Sequence, residues 1–264
     1  MKKIYSVLLI LLLVGIYANY NLANANVDKE DESLKDELKL TDTEFFQKYV
    51  EKYNNANPQF LLSSFINEDD TEIKIYILRT AAKKGFNDAV TNKLFTLALQ
   101  EGAWDTRVGN YTQMADNWKV RAAAAYLIHE KPDGIEENGK REFSRKLILM
   151  MKYDPEERCR GIAVLTLGKL FEKAESKGDP GSGRYDFLNR DTIIDILNAR
   201  LDKISTSDQF FCWSLVKALG YLKSEKSFYL LFRTRKKGFN QKIKLEISRS
   251  VQAIVGDTSS STPK

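Results

Sequence analysis

A chain of 264 residues with 43% hydrophobic content, 14 Phe, 12 Tyr and 3 Trp can bury a real core, in one large domain or two small ones. Five Pro and 14 Gly are few for an all-β protein of this size, so composition favours helices. The net charge of +5 is too mild to argue for nucleic acid, and with His129 as the one histidine, metal sites built from histidine clusters are excluded.

The chain opens with Lys2 and Lys3, then an apolar run from Ile4 to Ile16 broken only by Ser6 and Gly15, then an A-x-A cleavage site at Ala23-Asn24-Ala25. The run is short for a spanning helix, which needs ~20 residues. The reading is a secretory signal cleaved after Ala25, with an uncleaved N-terminal anchor as the alternative. No Cys stands near the cleavage site, which excludes a bacterial lipid-anchored cysteine, and no later stretch approaches a transmembrane span. The mature protein is expected to be soluble and periplasmic or secreted. Residues 26–44 carry eight acids and three lysines, so residues 26–42 read as an acidic flexible arm on a mildly basic body. Leu34, Leu38 and Leu40 give that arm weak helical spacing.

From residue 43 the pattern firms. Phe45, Phe46, Tyr49, Val50 and Tyr53 form a helical stripe with Thr43 as N-cap. Asn54 to Pro58 breaks it, and Phe60 to Ile66 is a short helix started by Pro58. Thr71 to Lys84 is the next helix, stopped by Gly85; Asn87 then caps a helix over 88–101 that ends at Gly102. Residues 103–116 form a long loop. Helices are predicted over 117–130, 140–153, 155–174, 190–204, 207–222, 225–237 and 240–254, with Gly-rich residues 176–186 as a loop and 257–264 as a disordered tail. The pentapeptide KKGFN occurs at 83–87 and again at 236–240. It reads as one helix–turn–helix joint used twice: lysines at the carbonyl end, Gly in a left-handed cap, Phe packing back, Asn starting the next helix.

Superposed on their apolar teeth, residues 119–130, 158–170, 211–222 and 243–254 share apolar or small residues at steps of three and four. Arg121, Arg160, Cys212 and Lys244 are their equivalent anchors, and residues 73–84 fit more loosely with Lys74 as anchor. Irregular spacings near 40 residues, built from helix pairs, point to an α-solenoid. Asp154-Pro155 followed by Arg160, Ala163, Leu167, Gly168 and Leu170 resembles the second-helix motif of the HEAT-repeat family, and residues 218–232 resemble that family's passage from one repeat to the next. The resemblance is strongest over residues 140–256. It implies an all-α, right-handed α-α superhelix of about five helix pairs over 43–256, with residues 43–53 as an N-terminal cap. It also implies a lateral Asp–Arg ladder between repeats, for which Asp154 and Arg160 match, while Cys212 and Lys244 replace the Arg in the last two repeats. Before residue 101 the KKGFN match would pair the helices the other way.

The two cysteines, Cys159 and Cys212, fall at nearly matching positions in neighbouring repeats. In an oxidising compartment a disulfide is one reading. It needs Cα atoms within about 7 Å, whereas packed helix axes lie about 8–10 Å apart. The other reading is two small buried apolar residues.

No catalytic constellation stands out. A Ser-His-Asp triad would require His129, which sits beside Glu130 at a helix end where a cation complements the dipole. Residues 178–183 (GDPGSG) lack the GK[ST] ending of a P-loop and follow a helix. Two features could carry binding. One is the loop with Trp104, Arg107, Tyr111 and Trp118, residue types over-represented at hot spots; the plain reading is that Trp104 and Trp118 plug the joint between repeats. The other is basic side chains: Arg141, Arg145 and Lys146 on one helix, and Arg233, Arg235, Lys236 and Lys237 on another, which a solvated helix face also explains. The expectation is an exported, non-enzymatic protein–protein interaction scaffold, needing no cofactor or metal. Its partner would be another protein in the cell envelope, met on a concave surface lined by second helices. The alternative is an envelope ligand- or glycan-binding protein, or an enzyme, using the Trp104–Trp118 loop. HEAT-like repeats also resemble those of bilin lyases and some DNA-repair glycosylases, whose cytoplasmic substrates an export signal argues against.

Overall fold

In the computed structural model, residues 33–41, 44–102, 117–173 and 188–260 are described. The chain divides into two compact units, Met1–Thr41 and Asp42–Lys264. In the first unit, residues 33–37 form a short helix (α1). Lys39, at φ 54°, turns the chain left-handed behind it, and the Leu40 N–H closes onto the Lys35 carbonyl at 2.8 Å. Leu34 and Leu38 are buried.

The second unit is all-α, with no strand among the described residues. Its helices are α2 (Glu44–Tyr53), α3 (Pro58–Asn67), α4 (Thr71–Lys84), α5 (Ala89–Ala98), α6 (Asn117–Glu130), α7 (Glu137–Tyr153), α8 (Glu157–Leu170), α9 (Arg190–Asp202), α10 (Gln209–Leu222), α11 (Phe228–Arg235) and α12 (Gln241–Ser260). They pack as a helical solenoid. Each odd helix from α3 to α11 packs on the even helix that follows it, giving five pairs. The even helices α4, α6, α8, α10 and α12 pack side by side in chain order as one layer. In the other layer α3 meets α5, α5 meets α7, and α9 meets α11. The five stretches superposed in the sequence are therefore the second helices of the five pairs. Before them, α2 lies on α4, with Phe46 stacked on Tyr76 at 5.0 Å between ring centroids.

The register of that superposition is a physical one. Six residues past its anchor, Thr166 of α8 donates its hydroxyl to the Ala125 carbonyl of α6 at 2.9 Å. Ser250 of α12, also six past its anchor, donates to the Val216 carbonyl of α10 at 2.9 Å. Small residues let the layer close up. A Cβ on Gly168 would lie 2.8 Å from the Ala218 Cβ and 2.9 Å from its Cα, and Gly220 meets Ser250 in the same way one helix on. The centre of the layer is correspondingly buried: Val120 to Ile128 on α6, and Cys159 and Gly161 to Gly168 on α8. A helix apolar around its whole circumference behaves so.

Local chemistry sets the ends. The Asn57 side chain caps α3, accepting from the Phe60 N–H at 2.8 Å, with Pro58 in the first turn. Asp70 caps α4 through the Glu72 and Ile73 N–H groups. The cap of α5 is Asp88 rather than Asn87, since its carboxylate accepts from the Thr91 N–H at 2.8 Å. The start of α8 lies two residues beyond the expected Pro155, because the Asp154 carboxylate takes the Glu156 N–H at 3.0 Å and holds the turn open. Helix α7 begins three residues before its expected start, behind a 3-10 turn over Pro132–Gly134. A second 3-10 turn, Glu225–Ser227, delays α11 to Phe228. Helix α12 runs to Ser260, six residues beyond the expected stop at Ile254, so residues 257–260 of the expected disordered tail are helical.

The two KKGFN stretches make different joints. Residues 83–87 link one pair to the next: Gly85 adopts φ 99°, which favours glycine, and Phe86 is fully buried. Residues 236–240 link the helices of one pair without a left-handed residue; there Asn240 is the cap, accepting from the Ile243 N–H at 3.0 Å. The pairing before residue 101 is thus the same as after it.

Candidate functional site

The anchor residues organise the interfaces between successive pairs. Arg121 of α6 grips Asp154, in the turn before α8, with two bonds: Nε to Oδ2 at 2.7 Å and Nη2 to Oδ1 at 3.0 Å. Its Nη1 donates to the Glu101 carbonyl at 2.8 Å. Both side chains are buried, 4% and 3% exposed. Arg160 is not the partner of the Asp154 carboxylate. It donates to the Asp154 and Pro155 carbonyls at 3.0 and 2.9 Å and stands 3.8 Å from Asp208, in the turn before α10. One pair earlier, Lys74 donates to Glu101. Lys74, Arg121 and Arg160 therefore each reach forward to an acid that precedes the next second helix. At the last interface the rung is neutral: Cys212 replaces the cation, and Gln209 accepts from the Asn240 N–H at 3.4 Å. These bonds are structural in kind, since their polar atoms face one another.

The disulfide reading is corrected. Cys159 and Cys212 are both free and buried. The reason is register. Cys159 precedes its anchor by one residue and points back to α6, donating its S–H to the Trp118 carbonyl at 3.3 Å, while α10 lies on the opposite side of α8. Burial pushes both thiols up, Cys159 well above the ordinary range and Cys212 to about 12. Beside Cys159, Asp154 adds to the effect and Arg121 opposes it. Neither thiol is a nucleophile at neutral pH. We expect no reaction with a disulfide reagent in the folded chain and two thiols per chain after denaturation; rapid native modification of either would contradict their burial. An unfolded thiol ionises near 9.0 and folded Cys212 only near 12, so this contribution to stability is complete below about 9 and is lost as the pH rises through that window.

Of the aromatic loop, Trp104, Arg107 and Tyr111 lie outside the described residues, and Trp118 is half-buried in the first turn of α6. His129 is half-buried between rings, its centroid 6.0 Å from Tyr126 and 6.1 Å from Tyr221, and Lys169 lies 4.2 Å over the Tyr221 ring. On α10 Phe210 stacks on Trp213 at 5.8 Å, and the Lys217 and Lys242 ammonium groups lie 4.7 and 4.9 Å from the Trp213 ring. Burial pushes the Lys242 amine below its ordinary value, partly opposed by Glu246. On α7, Arg141 stands 3.8 Å from Glu137, Arg145 is exposed and Lys146 is half-buried.

The exposed apolar side chains fall on the layer not expected to bind. Ten large hydrophobic residues are exposed among the described residues, and eight of them lie on first helices: Phe60 and Ile66 on α3, Leu97 on α5, Leu149 and Tyr153 on α7, and Phe228, Tyr229 and Phe232 on α11. The others are Val50 on α2 and Val255 on α12. On α7 they continue the row of Arg141 and Arg145 at helical spacing, so cationic and apolar groups share one face. Sequence reading named the basic side chains of α7 and α11 but not the rings beside them.

Among the described residues no group of three or more His, Cys, Asp or Glu is placed to hold a metal ion. Compared with known proteins, the chain matches no family model and no curated protein.

Proposed function

We propose that this chain is an exported, non-enzymatic interaction scaffold built on HEAT-like repeats, and that it meets an envelope protein on the outer side of its first-helix layer. The observation that carries the reading is the distribution of exposed large apolar side chains, eight of ten on α3, α5, α7 and α11. Exposed apolar groups rimmed by polar ones mark interaction surfaces, and Tyr and Arg recur at hot spots. Tyr153, Leu149, Arg141 and Arg145 form the densest such row on α7. The second layer, closed by small residues and buried at its centre, offers less.

The test is a photo-crosslinking side chain at Leu149 or Tyr153, in the cells that make the protein, with exposed Lys203 as the control position. A discrete protein adduct is expected from α7 and not from Lys203, in the envelope fraction, on a chain beginning at Asn26. Tyr153→Glu should abolish an adduct formed from Leu149. Adducts from Lys203 alone, none from α7, or a captured chain confined to the cytoplasm would refute the reading.

A further inference from the structure

We propose that α11 is a peripheral docking element for an anionic lipid surface. This goes beyond the protein-partner reading and stands or falls without it. The exposed arc of α11 holds Phe228, Tyr229, Phe232, Arg233, Arg235 and Lys236. At 3.6 residues per turn these six span about 160° of the helix. Three are aromatic, three are cationic and none is acidic. The rings are 42%, 73% and 49% exposed, while Leu231 and Thr234 on the opposite side are buried in the solenoid. From residue 226 to 245 the chain has seven Lys or Arg and no Asp or Glu.

The nearby acids account for only part of that charge. Glu225 stands exposed in the turn ahead of α11, and the others belong to α9: Asp202 pairs with Arg233, its carbonyl accepts from Lys237 at 3.2 Å, and Asp191 stands 3.3 Å from Lys226. Lys236 is held 5.0 Å over the Phe232 ring, so ring and cation present themselves together.

Charge and shape choose the occupant. Two helical turns with protruding rings form no groove for a peptide. Rings at the headgroup–acyl boundary with cations among phosphates are the arrangement of an interfacial helix. Helix α11 lies on such a surface rather than crossing it; no helix among the described residues is long and apolar enough to span a membrane.

The test uses the full chain with Tyr229→Cys carrying the environment-sensitive fluorophore NBD, which the two buried thiols leave selectively labelled. The local readout separates α11 from any binding through residues 4–16. With vesicles of equal parts phosphatidylglycerol and phosphatidylcholine, emission at position 229 should rise several-fold. It should rise little with phosphatidylcholine alone, and not at all from NBD on Asp195→Cys of α9. Unlabelled Arg235→Gln/Lys236→Gln should lower the α11-dependent partition coefficient by about 30-fold. No rise at position 229, or an equal rise at 195, overturns the proposal. So does polyglutamate that reproduces the rise without lipid and displaces the vesicles, since the face would then be one for an acidic protein. Failure of the α7 crosslinks leaves this result untouched, and failure here leaves those intact.

Discussion

Replacing Asp154 with alanine should lower the melting temperature by about 10–15 °C, the largest effect expected from a single polar substitution in this chain. Arg121 keeps its charge when the carboxylate is lost, at a site where its side chain is 4% exposed. The Glu101 carbonyl still accepts one of its N–H groups at 2.8 Å, but the two bonds to Asp154 are lost. Breaking a buried ion pair from one side typically costs 3–5 kcal/mol, because the stranded charge stays desolvated. The turn before α8 also loses the acceptor of its Glu156 N–H. The check is thermal unfolding followed by far-UV circular dichroism, with a second variant to identify the cause. Arg121→Met combined with Asp154→Leu removes both charges and should recover more than half of the loss. If the double variant is as unstable as Asp154→Ala, the damage lies in the turn and not in the unpaired guanidinium.

Phe86→Ala should cost about 3–5 kcal/mol, close to the effect at Asp154 but through packing alone. The ring is fully buried and meets Phe95 edge-on at 4.8 Å and Phe143 edge-on at 6.0 Å. Those partners lie on α5 and α7, so this one side chain, from a turn, joins two consecutive first helices. Its deletion leaves a cavity that the Gly85 turn, fixed at φ 99°, is poorly placed to collapse into. Lys83→Ala in the same pentapeptide should move the melting temperature by only about 1 °C, as exposed substitutions do. Equal effects at Lys83 and Phe86 would instead favour a basic motif, and overturn the account of KKGFN as a packing joint.

Most of the architecture was legible in the sequence. The apolar teeth of residues 158–170 and their four counterparts picked out every second helix, because such helices must bury a continuous face. The ladder was legible only by halves. Asp154 and Arg160 stood out, but the partner of the Asp154 carboxylate is Arg121, a whole repeat earlier, and no local spacing reveals that. The signal was present in the equivalence of Arg121 with Arg160: two anchors at one register must face the same kind of neighbour. Of the two readings of the thiol pair, the buried apolar one holds, because a one-residue offset turns a helical side chain by about 100°. The exposed rings of α11 were hidden by the 3-10 turn at Glu225–Ser227. That turn shifts the phase of the helix after it, so Phe228, Tyr229 and Phe232, core-like by type, point outward. The residues of the 103–116 loop, singled out by type alone, lie outside the described part of the chain.

The neutral rung at the last interface bears on how the molecule comes apart. In a stack where each unit touches only its neighbours, overall stability is a chain of separate couplings, and the weakest one sets where opening begins. The three earlier interfaces are clamped by ion pairs, Lys74–Glu101, Arg121–Asp154 and Arg160–Asp208. The final one also has ion pairs, Arg233–Asp202 and Lys226–Asp191, but they join partly exposed side chains of the first-helix layer. Between α10 and α12 it rests on small-residue packing, Lys242 over the Trp213 ring, the Ser250 hydroxyl and an amide contact at 3.4 Å. The terminal pair, α11 with α12, has a neighbour on one side only and no buried ion pair to it, so it is the first to fray, as a subdomain that opens while the remaining four pairs stay folded. The same pair carries the aromatic and cationic face. A surface that captures that face would clamp the loose end of the stack, so attachment and local folding would rise together.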